Sequence, residues 1–289
     1  TGPLRSCVWG INNLQPVDGV RLDLVIVQNA SPEIHADVAV LQTETGGVSE
    51  VILEPRAGIP HARNCAIRHA IHLGYDYIAF IDDDAVPDQD WFAESLKVLR
   101  ASGGEAVTGP QHPVFPPEAP RRLSKAAIYK AVNHPLGRPC RWAASNNVIF
   151  SVPFVRDQAL LLDETFTTGG SDKVFFRRFA RAGGRIWWAP KAIVREDVTP
   201  GRLTLSWALR RSWRLGTTGF RIERSGRPLA AALAISALKG AVYIGAGLAL
   251  LPTFLIPRHA GCIDGLCYIT HGAGFVLGIS PLFRPRQYS

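Results

Sequence analysis

Apolar residues in the first third of the chain fall into short continuous runs separated by helical periods. Residues 4–14 carry a helical pattern that starts just after Pro3, a first-turn residue by preference. Residues 21–27, RLDLVIV, end in a continuous apolar run, as a strand covered on both faces does. That run stops at Gln28-Asn29-Ala30-Ser31-Pro32, a turn of short polar groups. A second short strand is predicted over 50–53. A Pro/Gly-containing turn follows, then an Ala/Ile-rich helix to about Leu73 with Arg63 and Asn64 in its first turn. Residues 77–81 (YIAFI) read as a buried strand, 91–102 as a helix and 106–109 as another strand. Strand and helix alternate in this way before residue 85, which predicts an α/β fold. Its sheet is mixed but mostly parallel, with helices outside.

The pattern then loosens. Residues 110–120 hold five prolines and read as a loop shaping a cleft, and 121–133 as a basic helix beside an anionic acceptor. Residues 141–150 run through Ser145-Asn146-Asn147 into a short strand, and 173–182 form an amphipathic helix opened by TTGGSD. Residues 186–188 (IWW) are a strand whose tryptophans pack the core or stack on sugar rings. Glu196-Asp197 follow one more short strand, with an ion pair to Arg195 or Arg202 as their plain role. Arg and Trp interleave over 202–214, a pattern suited to a lipid interface or a diphosphate.

From residue 229 the chain is almost wholly apolar to 256, broken by Lys239. The uncharged part, 240–256, has 17 residues, the lower edge for crossing a bilayer. A second apolar stretch, 262–280, contains Asp264 and His271. Arginines lie before (Arg221, Arg224, Arg227), between (Arg258) and after (Arg284, Arg286). This fits a membrane hairpin with both ends cytoplasmic, helices lying in one leaflet, or a soluble helical subdomain.

Composition narrows the partners. The 289 residues suffice for one large domain, or for one domain with an appendage. A formal net charge of +8 suits an anionic partner, whether nucleic acid, an anionic membrane surface or a phosphorylated substrate; given the apolar tail after the Arg/Trp segment, nucleic acid is not expected. Five cysteines without metal-type spacing read as reduced thiols. The chain lacks Met and opens on Thr1-Gly2-Pro3, so a preceding segment is expected.

The candidate chemistry is concentrated at Asp82, Asp83 and Asp84, three carboxylates ending the 77–81 strand. Adjacent negative charges there repel and resist desolvation. A divalent cation carrying a phosphate-bearing ligand offsets them, since Mg²⁺ or Mn²⁺ is held by one or two carboxylates plus phosphate oxygens. On an extended segment Asp82 and Asp84 share a face, which makes them the ligand pair, with Asp84 on the metal. The plain alternative is a solvated acidic turn. Arg63, near a helix start, suits an anion such as diphosphate, or is a solvated surface cation.

Read in order, VIVQNAS, RAGIPHARNCAI, YDYIAFIDDDAVPDQDW, SNNVIF and LLDETFTTGGSDKVFFRRFARAGGRIWWAPKAIVRED resemble a family 2 glycosyltransferase of the GT-A fold. The likeness is to the branch that builds bacterial exopolysaccharide and capsule units, and it covers roughly residues 1–220. It implies a nucleotide-sugar donor, Mg²⁺ or Mn²⁺ as cofactor, and inversion at the sugar carbon. The acidic triplet then corresponds to a DXD-type motif, with Asp82 and Asp83 on the nucleotide-sugar and Asp84 on the metal. Gln28, Asn29, Arg63, Asn147 and Glu196 would line the nucleotide-sugar. Family members often carry Asp where this chain has Gln28, and Glu where it has Ser171. Asp172 would be the general base, taking the acceptor hydroxyl's proton; its plain alternative is a helix N-cap.

The expected division is a catalytic domain over 1–220 and a membrane-associating helical region over 221–289. Within the catalytic domain, 1–109 form the nucleotide-binding half and 110–220 the acceptor half. A UDP-sugar donor, a lipid-linked oligosaccharide acceptor and the cytoplasmic face of the inner membrane follow from the resemblance. A metal-dependent nucleotidyl- or phosphoryltransferase and a non-catalytic sugar-nucleotide-binding protein are the other readings.

Overall fold

The computed structural model describes residues 2–45, 47–256, 260–280 and 283. Helix α1 (Gly2–Asn12) packs on a later strand, and its Gly10 allows the approach, since a Cβ there would lie 2.7 Å from Val86. Strand β1 (Val25–Asn29) and β2 (Glu50–Glu54) pair in parallel through the crossover helix α2 (Ala36–Thr45). Helix α3 (Ile59–Leu73) starts after Gly58, at φ 130°, and stops at Gly74, at φ 71°, both conformations costly for other residues. β3 (Tyr77–Ile81), β4 (Ala85–Pro87) and α4 (Trp91–Ser102) follow, then β5 (Ala106–Thr108) and β6 (Gln111–Val114). The 110–120 loop predicted from its prolines thus contains a strand.

The helix predicted over 121–133 breaks. Only α5 (Arg121–Ser124) and one 3₁₀ turn (Ala127–Tyr129) form. Leu123, Ala126 and Tyr129 bury together with Val198, Leu203 and Ala260. The Ala127 N–H donates to Asp264 Oδ1 at 2.6 Å instead of to a carbonyl one turn back. Tertiary packing here overrides helical propensity.

After β7 (Pro139–Cys140), strand β8 (Asn147–Ser151) enters a five-stranded sheet of order β3-β8-β5-β9-β7, where β9 is Ile186–Trp188. β5 and β9 run parallel, but β8 is antiparallel to both β3 and β5, and β7 to β9. The sheet is mixed, less parallel than the alternation of the first elements suggests. With the 121–133 helix broken, no long helix carries the chain back across the sheet before β8. Helix α6 (Val152–Asp157) starts on a Ser151 cap, whose Oγ accepts from the Phe154 N–H. Helix α7 (Ser171–Arg181) drives Phe175, Phe176 and Phe179 against Phe150, with ring centroids 5.7, 5.8 and 6.4 Å from it. Truncating one such ring to Ala costs about 3–5 kcal/mol. β10 (Val194–Asp197) pairs antiparallel with β4.

Contacts divide the chain into two units. One holds residues 1–112, 131–167 and 171–196; the other holds 113–130, 168–170 and 197 onward. In the second, α8 (Leu205–Arg224), α9 (Leu229–Leu250) and α10 (Gly261–Leu277) pack together. Helix α8, placed in the catalytic half by the sequence, therefore belongs with the helical tail. The helices approach through glycines: a Cβ on Gly247 would lie 2.6 Å from the Gly265 carbonyl, and one on Gly272 2.6 Å from that of Gly240. Lys239, the charge interrupting the apolar run, bonds buried Glu223 at 2.7 Å, and Arg227 joins from the other side. Tyr243 and His271 stack at 4.3 Å. The stretch Leu229–Leu255 is long and apolar enough to cross a membrane by length and composition, and little of it is buried. Arg258, Arg284 and Arg286 lie outside the described residues.

Candidate active site

Strand β3 ends at Ile81, and the acidic triplet that follows is a turn. The Ala85 N–H donates to the Asp82 carbonyl at 3.1 Å. The extended geometry that put Asp82 and Asp84 on one face does not occur. Burial still sorts the residues the same way, Asp82 and Asp84 half-buried and Asp83 exposed. Arg63 Nη2 donates to Asp82 Oδ1 at 2.9 Å. Arg63 lies a turn further into α3 than expected. The first N–H groups of α3 give little to an anion: Pro60 has none, and His61 and Ala62 donate to the Gly58 carbonyl. What α3 brings to the triplet is the guanidinium.

Despite that arginine, the Asp82 carboxyl is pushed above the usual carboxylate range, by burial first and then by the charges of Asp84 and Asp83. Cys7 on α1 reports the same field. Its thiol lies 3.6 Å from the Asp82 carbonyl and is pushed up to about 12, first by burial and then by Asp83, Asp82 and Asp84.

The end of β1 is built differently. Gln28 is buried, and its amide is used at both ends, donating to the Glu33 carbonyl and accepting from the His35 N–H at 2.7 Å. Asn29 donates to the carbonyls of Glu54 at 3.2 Å and Arg56 at 2.7 Å, and accepts from the Gly58 N–H at 2.8 Å. These two side chains hold the β1 loop and the entrance to α3 in place. Nearby, the Glu54 carboxylate takes three bonds from Arg56, and Glu164 meets Arg56, Arg68 and the Asn64 amide.

Adjacent asparagines at the start of β8 have different surroundings. Asn147 is buried and saturated: it accepts from Trp91 Nε1 at 2.8 Å and donates to the carbonyls of Pro110 at 3.0 Å and Ala192 at 2.9 Å. Asn146 is half-buried and donates to the Gln111 side chain, whose amide in turn donates to Glu196. Glu196 lies opposite Ala85 in the β10–β4 register, so it stands one residue from Asp84 across the pair. Arg195 does not pair with Glu196 but grips Asp88 with two bonds, at 2.6 and 2.8 Å. Gln111 and Asn146 were missed in the sequence, because only the fold joins them to Glu196.

Asp172 occupies the first turn of α7, half-buried, with its Oδ1 accepting the neighbouring Lys173 N–H at 2.7 Å. That bond is local and does not cap a later N–H of the helix. The Lys173 ammonium sits 5.3 Å from the ring centroid of Trp142, which is 44% exposed. The exposure of Trp142 was invisible in the sequence. Of the β9 tryptophans, Trp188 is buried and Trp187 packs against the core.

Comparison with known proteins gives the family and the fold. Residues 77–277 match the family model described as Glycosyl transferase family group 2. The chain is 29% identical over 263 residues to the succinoglycan biosynthesis protein ExoM of Rhizobium meliloti (strain 1021), covering 85% of this chain and 83% of that one. Among solved structures it resembles S. aureus TarS 1-349 in complex with UDP-GlcNAc, with a TM-score of 0.54, 10% identity, and 98% and 79% of the two chains covered. TarS 1-349 in complex with UDP gives a TM-score of 0.52 at 13% identity, with 94% and 87% covered. Against a longer S. aureus TarS chain (TM-score 0.53, 11% identity), the match takes in 74% of this chain and spans 37% of that one. At these identities the structural likeness establishes a shared fold.

Proposed function

The chain belongs to glycosyl transferase family group 2 and is a glycosyltransferase; from that membership we propose that it moves a sugar from a UDP-sugar to a lipid-linked saccharide at the cytoplasmic face of the membrane. The product enters an exopolysaccharide, in line with the name of the ExoM relative. The UDP donor takes its support from the structural neighbour solved with UDP-GlcNAc.

One observation carries the reading. Three carboxylates share a turn in which even the arginine-paired member is pushed above the usual carboxylate range, by burial first and then by its acidic neighbours. Such a turn gains from added positive charge. Among the described residues no group of three or more His, Cys, Asp and Glu side chains is arranged to hold a metal ion alone. The carboxylates of this turn fit an ion that takes most of its oxygens from phosphate and water, as Mg²⁺ and Mn²⁺ do. Asp84 would hold it, and when bound the ion offsets charge on the departing diphosphate.

The chain's own residues do the rest. Arg63 fixes Asp82 beside the nucleotide-sugar, and Asp83 faces it from the exposed side of the turn. Glu196, held by Gln111, approaches from the β10 side. Asp172 accepts the proton of the attacking acceptor hydroxyl. The new bond runs from that oxygen to the anomeric carbon, and the bond to UDP breaks on the opposite face, so the configuration inverts. The first unit carries this chemistry, and the largely exposed apolar stretch Leu229–Leu255 of the second supports membrane association.

Calorimetry of UDP with and without Mn²⁺, on wild type and Asp84→Ala, tests the donor site. Metal-dependent binding in the wild type and at least tenfold weaker binding in Asp84→Ala is expected. A wild type that binds no UDP under any metal condition sinks the donor assignment.

A further inference from the structure

Three segments of the first unit meet at one carbonyl. The Pro110 oxygen accepts from the Asn147 side-chain amide at 3.0 Å and from the Val194 N–H at 3.1 Å. Asn147 also bonds the Ala192 carbonyl and Trp91, so residues 110, 147 and 192–194 are locked together from inside. A half-buried row of side chains rests on this anchor: Asn146 precedes Asn147, Gln111 follows Pro110, and Glu196 lies two residues past Val194. Asn146 donates to Gln111, and Gln111 donates to Glu196. Among the described residues, the side chains of Asn146 and Gln111 hydrogen-bond nothing else.

The row has a direction. A carboxylate only accepts, so Gln111 turns its N–H to Glu196 and its oxygen away, and Asn146 supplies an N–H to that oxygen. Reversing either amide sets two acceptors or two donors face to face. The row ends beside the acidic turn: Glu196 lies opposite Ala85, the residue after Asp84, and opposed residues of an antiparallel pair have Cα atoms about 5 Å apart. A carboxylate brought to Asp82, Asp83 and Asp84 is repelled by them, and a donor that holds it there offsets the repulsion. Held at the turn, it adds to the attraction for a bound cation; swung into solvent, its charge is screened.

We propose that Gln111, oriented by Asn146, is a positioning residue: it holds Glu196 at the acidic turn, so that the turn offers one more carboxylate to the divalent cation accompanying a nucleoside diphosphate. The proposal rests on the donor-site reading above and adds to it two residues that act through Glu196. The sense of each amide then counts as well as its presence. In Asn146→Asp the Gln111 amide meets an acceptor at both ends and satisfies only one, whereas Asn146→Ala removes a partner without opposing the row.

Mn²⁺ titrated into the whole chain with UDP present, and followed by electron paramagnetic resonance of the free ion, tests it. Glu196→Gln and Gln111→Leu should each weaken Mn²⁺ binding about tenfold. Asn146→Asp should weaken it about fivefold and Asn146→Ala about twofold or less. In the Glu196→Gln background, Gln111→Leu should change binding less than about twofold, because its effect passes through that carboxylate; a general loosening of the fold would persist there. Asn146→Asp, at a half-buried position, carries the same background test should Gln111→Leu misfold. Single variants that bind Mn²⁺ like the wild type, or losses undiminished in the Glu196→Gln background, overturn the positioning role. So does a Glu196→Gln variant that binds like the wild type, while the assignment of Asp84 and UDP stands. A wild type that binds no Mn²⁺ with UDP present removes the donor-site reading and the proposal together.

Discussion

Glu54 ends β2 and Asp82 follows β3; each meets an arginine, yet their acidities move in opposite directions. Arg56 gives Glu54 two guanidinium bonds and a backbone N–H, and the carboxyl drops to about 2. Arg63 gives Asp82 one bond at 2.9 Å, but burial and two neighbouring carboxylates outweigh it, and the carboxyl rises. The first group is saturated and the second still gains from added positive charge. Gln28, Asn29 and Asn147 belong with Glu54, since their polar atoms are used by the scaffold. Residue type at a strand end therefore distinguishes little; what remains after the local hydrogen bonds are counted distinguishes more.

The sharpest way to break this contrast is through Asp172, whose one described bond is local. In Asp172→Asn the turnover number is expected to fall about 10²–10⁴-fold while UDP affinity stays within about twofold, read by steady-state kinetics and calorimetry on the same preparation. A loss below about tenfold would place the base elsewhere.

Next in size is the pair Asn146 and Asn147. Asn147→Ala strips partners from Trp91 Nε1 and from the Pro110 and Ala192 carbonyls, all in the interior. Stability should drop by about 2–4 kcal/mol, measured from the guanidinium midpoint. Asn146→Ala, at a half-buried site, should cost less than about 1 kcal/mol. Equal costs would mean that the burial contrast between the two does not govern their roles.

Much of the fold was legible because it is local. The bounds of β3 and α4 agree with the predicted 77–81 and 91–102, where apolar runs and a helix-stopping Gly103 mark them. The acidic triplet stood out as clustered carboxylates after a buried strand, with a solvated turn as its plain alternative, and Asp172 was a candidate through the family resemblance. What failed depended on distant partners. The 121–133 helix broke because Asp264 takes the Ala127 N–H. Helix α8 joined the tail because glycines of α8 and α10 let the two helices meet, as Gly216 and Gly274 do. Asn147 and Glu196 were candidates through the family resemblance, whereas the bonds that join Asn146, Gln111 and Glu196 run between segments far apart in the sequence.

The smallest expected effect concerns Glu54, and its sign follows from linkage. The folded carboxyl titrates at about 2 and the ordinary value is 4.5, so the unfolded chain binds the proton first as pH falls. The stabilisation from Arg56 is therefore complete above about 4.5, shrinks as pH drops below that, and is gone once the folded group is protonated near 2. Arg56 is 51% exposed in its side chain, so solvent screens the pair and keeps its worth modest. Guanidinium midpoints of wild type and Glu54→Gln, compared from neutral pH downward, isolate it from Glu164, whose carboxyl is also held low, chiefly by the Asn64 amide. The gap between the two proteins should be flat in the neutral range and close below about 4.5. A gap that stays constant to the acid limit would show that Glu54 is not shifted, and its separation from Asp82 would then rest on hydrogen-bond geometry alone.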